Sequence, residues 1–235
     1  MKYYTWKCLS DIDGVLIPGL NGKTVKGHHT FFDAGKCNIK TFYDQMYVFD
    51  YLSPENFGEI KPEPEIITDI HMWIGEQPRR GLFFPISLKF KNLLERFNLP
   101  PHRFYTASVL FKGNFYPYFI WHCLYHSYWD YIDFDKTLYN NLNSYRRLKQ
   151  EQREVKQFSS FHEMSDYSEK NWDDDWNYEK LVMKPAFKEI DYCYILGLDS
   201  GNLISERLKD AITSIGISGL EFKELPITIE FSDEV

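Results

Sequence analysis

Several features that mark common protein classes are missing from this 235-residue sequence. No apolar run approaches the 18 residues of a membrane-spanning helix, and the first residues show neither the apolar segment nor the cleavage site of a secretory signal. Basic residues (27) are fewer than acidic residues (34), so the net charge is −7, whereas a general nucleic-acid binder needs a basic face. We therefore expect a cytoplasmic protein that binds neither membranes nor nucleic acid.

Cysteines and catalytic motifs are also scarce. The four cysteines (Cys8, Cys37, Cys123 and Cys193) form no C-x-x-C pair, which favours free thiols in a reducing compartment. The sequence contains no G-x-S-x-G nucleophile motif and no complete phosphate-binding loop. We expect no cofactor, no metal and no catalytic activity.

The hydrophobic content is that of a folded protein. Hydrophobic residues make up 43% of the chain and aromatic residues 18%. The pattern predicts one α+β domain over residues 1–235, with a loop-rich part at 1–62 and a more regular part at 65–235. The predicted core is an antiparallel or mixed sheet that carries two equivalent helices, with a charged helix and loop inserted near 140–180.

The regular part predicts five further elements. A hairpin is expected from strands 104–111 and 115–121, joined through Lys112-Gly113-Asn114. The charged stretch 139–158 predicts a helix, and the acidic stretch 159–180 predicts a long loop. Strands are expected at 192–198 and at 220–231, the second one broken near Pro226.

Two segments of the chain repeat one local design. Residues 85–105 and 203–223 align without a gap, and each contains a serine that can cap a helix, Ser87 or Ser205. The apolar residues that follow have the spacing i, i+3, i+4, i+7 in both segments: Phe90, Leu93, Leu94 and Phe97, and Leu208, Ala211, Ile212 and Ile215. The pattern indicates two helices that each pack one apolar face on a sheet, with the serines as caps rather than nucleophiles.

These segments resemble the immunity proteins of bacterial contact-dependent and polymorphic-toxin systems, a former family of unknown function that includes the MXAN-type immunity protein. The resemblance covers about residues 65–235, and it rests on the Ser-capped helices, on ISERLKDAITSIGISGLEFKEL from residue 204, and on Asp69 ahead of the first helix. A carboxylate segment on a strand is expected at 129–137 (WDYIDFDKT). The resemblance implies an α+β protein that binds and neutralises a cognate toxin, and it brings no catalytic residues.

A second motif indicates a different function. Asp11-Ile-Asp13-Gly-Val-Leu16 matches the first motif of haloacid-dehalogenase phosphatases, in which the two aspartates flank a magnesium ion. That fold needs an apolar parallel strand before the first aspartate, and residues 5–10 are too polar for one. A turn at 11–14 is therefore favoured. His122 and His126 have helical spacing but lack the glutamate of a zinc-protease motif, so packed histidines are favoured over a zinc site.

The predicted partner-binding residues are Trp172, Asp173, Asp174, Asp175 and Trp176. Seven acidic residues and one lysine lie between Glu163 and Glu179, and two tryptophans flank the three aspartates. Tryptophan is enriched at interface hot spots, and acidic patches accelerate association with basic partners. The segment could instead be a solvated loop whose tryptophans pack on the core.

The leading hypothesis is an immunity protein that blocks a toxin with a basic active-site surface. The alternatives are a magnesium-dependent phosphatase that uses Asp11 and Asp13, and a non-catalytic interaction module.

Overall fold

The computed structural model describes residues 2–9, 11–12, 15–16, 59–60, 66–72, 83–123, 126–140, 154–170, 177–195, 198 and 201–233. Over these residues the fold is α+β with mostly antiparallel strand pairs, as the sequence predicts. No helix in this part of the chain is long and apolar enough to span a bilayer.

The elements alternate between strands and short helices. The strands are β1 (Tyr3–Cys8), β2 (Asp11–Ile12), β3 (Val15–Leu16), β4 (Glu59–Ile60), β5 (Phe83–Ser87), β6 (His102–Phe111), β7 (Asn114–Cys123), β8 (Leu138–Asn140), β9 (Val155–Lys156), β10 (Asn177–Met183), β11 (Tyr192–Tyr194), β12 (Asn202–Ser205), β13 (Leu220–Glu224) and β14 (Ile229–Phe231). The α-helices are α1 (Leu88–Leu94), α2 (Phe161–Lys170) and α3 (Glu206–Ile215). In the described part of the chain, 3-10 helices cover His126–Tyr131 and Pro185–Glu189.

The strands form three four-stranded sheets and one short hairpin. The first sheet has the order β11-β12-β1-β13, the second β4-β6-β7-β5, and the third β14-β10-β8-β9. Among the described strands, β2 and β3 pair only with each other. The parallel pairs are β4 with β6 and β10 with β14.

The helices α1 and α3 start in the same way. The hydroxyl of Ser87 accepts a hydrogen bond from the Phe90 amide at 3.2 Å, and that of Ser205 accepts one from the Leu208 amide at 3.2 Å. α3 ends at Gly216, whose φ of 70° is left-handed. α1 is shorter than its apolar pattern, because residues after Leu94 continue as tight turns before Pro100.

The hydrophobic core has two layers. The first layer lies between α1, α3 and one face of the first two sheets, and it includes Trp6, Trp121, Phe90 and Leu208. The second layer lies on the opposite face, where the third sheet and both 3-10 helices pack. Alternate residues of β7 enter different layers, with Trp121 in the first and Ile120 in the second, so this strand is buried on both faces.

The β6–β7 hairpin is confirmed. Its strands pair from His102 opposite Cys123 to Phe111 opposite Asn114. Lys112 and Gly113 form the two-residue turn with φ values of 49° and 76°, the backbone of a type I′ turn. The break near Pro226 is also confirmed, because β13 ends at Glu224 and β14 begins at Ile229.

Three predictions for residues 129–180 are wrong. Residues 138–140 and 155–156 are strands that pair with each other, so a helix does not span 139–158. The stretch 159–180 is not one loop, because it contains α2 and the start of β10. The carboxylates at 129–137 lie on a 3-10 helix and a turn rather than on a strand.

A local signal explains the helix α2. The Ser160 hydroxyl accepts a hydrogen bond from the Glu163 amide, and the Glu163 carboxylate accepts one from the Ser159 amide at 2.7 Å. The arrangement resembles a capping box: the Ser160 hydroxyl satisfies an amide of the first turn, and the Glu163 carboxylate reaches back to the amide of the residue before the cap. Ser-x-x-Glu at 160–163 was therefore the sequence signal for a helix inside an acidic stretch.

Candidate functional site

The predicted partner-binding segment, Trp172 to Trp176, lies outside the described residues. Its neighbours are described: α2 ends at Lys170, and β10 begins at Asn177. The segment therefore connects α2 to the central strand pair of the third sheet.

The surroundings of Asp11 differ from those of the phosphatase motif. Asp11 pairs with Leu16 and Ile12 with Val15, so β2 and β3 are antiparallel to each other. Residues 3–8 form strand β1, but this strand is antiparallel to both of its neighbours, β12 and β13, and so it is not the parallel strand that the phosphatase fold needs. Asp13 lies outside the described residues. The antiparallel arrangement of β1 disagrees with a haloacid-dehalogenase fold.

Two aspartates hold the capping serines. The Ser87 hydroxyl donates to Asp69 Oδ1 at 2.6 Å, and the Ser205 hydroxyl donates to Asp191 Oδ1 at 2.6 Å. Each serine hydroxyl therefore donates to a carboxylate while it accepts from the helix amide. Because both hydrogen-bonding roles are used in holding the helix start, these serines are structural groups.

Each aspartate also receives a cation and a backbone amide. Arg207 donates to both oxygens of Asp191, at 2.5 and 2.8 Å, and the Lys89 ammonium lies 3.6 Å from Asp69 Oδ2. The Asn98 amide donates to Asp191 at 2.8 Å, and the Ser218 amide donates to Asp69 at 3.0 Å. These amides belong to the turns that follow the opposite helix in each case. The two aspartates thus join each helix start to the exit of the other helix. We call Asp69, Ser87 and Lys89 the first clamp, and Asp191, Ser205 and Arg207 the second clamp.

The described histidines form no metal site. His122 lies on strand β7 and is only 4% exposed, and among the described residues no group of three histidine, cysteine or acidic side chains could hold a metal ion. Burial lowers the pKa of His122 to about 3, and the positive charge of Arg103 acts in the same direction.

We expect His122 to make stability depend on pH. An unfolded histidine has a pKa of about 6.5, so the unfolded chain takes up a proton that folded His122 does not take up. Its contribution to the free energy of unfolding is complete above about pH 6.5 and falls by about 1.4 kcal/mol per pH unit as the pH drops towards 3. Urea unfolding at pH 7 and pH 5 should show a smaller loss in H122Q than in the parent protein, and equal losses would contradict this assignment.

The described cysteines are buried thiols without disulfides: Cys8, Cys123 and Cys193. Burial raises the pKa of Cys8 to about 12 and raises the pKa of Cys123 and Cys193 above the ordinary range. Because the thiolate is the reactive form, all three should be inert.

We expect alkylation to distinguish these cysteines from Cys37, which lies outside the described residues. The C37S variant should incorporate no iodoacetamide under native conditions and three equivalents after unfolding, as measured by intact mass. Rapid native labelling of C37S would show that one of the buried thiols is accessible.

On the part of the surface that the structure describes, exposed aromatic residues lie at the tip of the β6–β7 hairpin. Phe115 is 63% exposed and Tyr116 38% exposed, and they are the only exposed aromatic residues among the side chains that the structure describes. Tyr116 makes an edge-on contact with Phe111 at a centroid distance of 6.0 Å, and the Lys112 ammonium lies 5.0 Å from the centre of the Phe111 ring. Adjacent strand residues point to opposite faces, so the tip presents one aromatic ring on each side. We call Phe111, Lys112, Phe115 and Tyr116 the hairpin tip.

The hairpin tip was not among the predicted site residues. The sequence predicts the turn of this hairpin, but it does not distinguish the exposed aromatic residues of β7 from the buried ones. The signal available was the position of Phe115 and Tyr116 directly after the turn, since residues next to a two-residue turn project furthest from the rest of a sheet.

The clamps and the buried histidine and cysteines thus have structural roles, and the hairpin tip is the candidate site. Exposed aromatic residues are enriched at protein interfaces and costly to leave in water. In comparisons with known proteins, no family model matches this chain and no curated protein matches it.

Proposed function

We propose that this protein is an immunity protein that binds and neutralises a bacterial toxin without catalysis of its own. The observation that carries the proposal is the hairpin tip, where Phe115 and Tyr116 are exposed together and Lys112 lies against the ring of Phe111. Large aromatic side chains supply most of the affinity in many protein interfaces. A second support for the proposal is the resemblance to the immunity family that the Ser-capped helices and Asp69 carry.

The negative charge of the chain favours a partner with a basic surface. The net charge is −7, and the segment Trp172–Trp176 places three aspartates between two tryptophans. A toxin that acts on nucleic acid or on a phosphorylated cofactor has a basic cleft, which an acidic segment can occupy. We propose that this segment and the hairpin tip both contribute to binding.

Co-expression tests the proposal directly. The product of the adjacent upstream gene is expressed with this chain, and both growth rescue and co-purification are scored. We expect rescue together with a stable complex. Rescue without a complex would favour removal of a toxin product and hence the phosphatase alternative, whereas neither toxicity nor a complex would leave only an interaction module.

Charge reversal tests the acidic segment. D173K/D174K/D175K should weaken toxin binding and reduce the salt dependence of the association rate, because long-range attraction to a basic surface is lost. The matched control is D210K, which reverses an exposed carboxylate on α3. Affinity within about twofold of the parent protein would exclude this segment from the interface.

A further inference from the structure

Two strands far apart in the chain carry the same six-residue pattern. β1 reads YYTWKC at Tyr3–Cys8, and the second half of β7 reads YFIWHC at Tyr118–Cys123. Tyrosine, tryptophan and cysteine coincide at the first, fourth and sixth positions. Trp6 is 3% exposed and Trp121 is 1% exposed, so the shared tryptophan is a core residue in both strands.

Both strands occupy the same place in their sheets. β1 lies between β12 and β13, the strands before and after α3, and β7 lies between β5 and β6, the strands before and after α1. Each is antiparallel to both of its neighbours. In both sheets, therefore, a central strand lies between the two strands that flank a helix in the sequence.

The register of the central strands is also the same. Tyr3 lies opposite Ser205, and Tyr118 lies opposite Ser87, so each tyrosine faces the serine that caps the adjacent helix. Three residues later, Trp6 lies opposite Phe222 and Trp121 lies opposite Phe104. Phe104 and Phe222 occupy the same position in the repeated segments 85–105 and 203–223.

Side-chain contacts repeat at these positions. The Tyr118 hydroxyl donates to the carbonyl of Thr68, and the Tyr3 hydroxyl donates to that of Ile190 at 3.3 Å and also to that of Phe187. Thr68 and Ile190 are the residues directly before the two clamp aspartates.

A lysine also repeats on the two helices. The Lys91 ammonium lies 5.3 Å from the centre of the Phe119 ring, and the Lys209 ammonium lies 4.5 Å from that of Tyr4. Phe119 and Tyr4 are the second residues of the two six-residue patterns. In both cases, a lysine of the helix thus lies against the ring at the second position of the central strand.

The start of each helix lies against the exit of the other helix. The Lys89 ammonium donates to the carbonyl of Gly216 at 2.7 Å, so the start of α1 lies at the end of α3. The exchanged amides of Asn98 and Ser218 in the clamps make the relation reciprocal. The groove between the helices is lined by three residues of the first segment and their three equivalents in the second: Leu93, Arg96, Phe97, Ala211, Ser214 and Ile215.

We propose that the chain is a tandem duplication, in which the copies span about residues 3–111 and 118–224 and have exchanged their first strands. Along each copy the order is the same: the Y-x-x-W-x-C strand, the clamp aspartate, the capping serine with its helix, and a strand. Yet the first strand of each copy is the central strand of the other copy's sheet. The contacts are those of a strand-exchanged dimer within a single chain.

This arrangement makes each half depend on the other. The first sheet lacks its central strand without residues 3–8, and the second lacks its central strand without residues 118–123. In this structure each sheet therefore takes its central strand from the other copy. The inference is independent of the proposed function.

Disulfide trapping tests the exchange of strands. Lys7 pairs with Glu221 across β1 and β13, whereas Arg103 is the residue of β6 equivalent to Glu221. In the oxidised full-length protein, K7C/E221C should form the 7–221 disulfide, and K7C/R103C should form no 7–103 disulfide, as read by peptide mapping. A 7–103 disulfide would show that β1 pairs within its own copy and would overturn the proposal.

Strand transplantation tests the equivalence of the copies. Y4F/T5I/K7H gives β1 the sequence of β7, and F119Y/I120T/H122K makes the reverse change. The control W6K/K7W keeps the composition of β1 but turns its tryptophan to the wrong face. We expect at least one transplant to retain cooperative melting, within about 10 °C of the parent protein, while the control unfolds. If both transplants melt no higher than the control, the strands are not equivalent and the duplication is wrong.

Discussion

Replacement of Asp191 by alanine is expected to lower the free energy of unfolding by about 3 kcal/mol. Asp191 is fully buried and accepts hydrogen bonds from Ser205, from Arg207 and from the amide of Asn98. Alanine would leave the serine hydroxyl and the Asn98 amide without their acceptor inside the protein. Arg207 is half exposed, so its guanidinium can rehydrate, which limits the cost. Urea unfolding of D191A and the parent protein measures the difference.

The first clamp provides the matched control. Asp69 accepts from the same kinds of groups, but its side chain is 15% exposed and the Lys89 ammonium is 3.6 Å away. Water can replace part of the lost contacts, so D69A should cost about half as much as D191A. D191N retains one acceptor oxygen and should fall between D191A and the parent protein. A loss below about 1 kcal/mol in D191A would show that the second clamp does not hold the two helices together.

The two clamps show which features of the fold a local sequence pattern can predict. The serines could be found because a cap and an i, i+3, i+4, i+7 pattern lie within one short segment. The partners of the serines could not be found in the same way. Asp191 lies 14 residues before Ser205 in sequence, and Asn98 lies 93 residues from Asp191. Only the folded chain brings these groups together.

The wrong predictions also have physical reasons. The stretch 139–158 has helix-forming charged residues, but Tyr139 is buried against Phe158 and Tyr178 in the third sheet. Tertiary packing therefore overrides local propensity at Leu138–Asn140 and Val155–Lys156. At α2 the opposite error arises: the acidic composition predicts a loop, although a local capping signal indicates a helix.

The exchanged strands explain why the fold class could be predicted but the pairing could not. Composition and periodicity favoured an α+β domain with two equivalent helices, and the chain has that fold class. Neither feature tells which strand enters which sheet. Trp6 and Trp121 are equally hydrophobic, and both contact Phe84 and Tyr192 in the shared core layer. Their pairing depends on long-range contacts that a local pattern does not contain.

Truncation of the hairpin tip is expected to have the largest effect on toxin binding. F115A and Y116A each remove an aromatic ring that the free protein exposes to water. At an interface hot spot such a change costs about 2 kcal/mol, which corresponds to about a 30-fold rise in Kd. Because the two residues point to opposite faces of the hairpin, a partner that encloses the tip should be weakened by both variants, whereas a flat partner surface should be weakened by only one. Titration calorimetry with the co-purified toxin measures both affinities.

The control must separate binding from folding. Val155 is 47% exposed on β9, at the edge of the third sheet, and V155A should leave the affinity unchanged. F115A and Y116A should also melt close to the parent protein, since neither ring is in the core. If both bind within about twofold of the parent protein while D173K/D174K/D175K does not, the interface lies at the acidic segment and the hairpin tip has another role. If instead all three variants weaken binding, the toxin contacts both surfaces. A variant that combines the substitutions then tests whether both contacts form in the same complex, through the additivity of the losses in binding free energy.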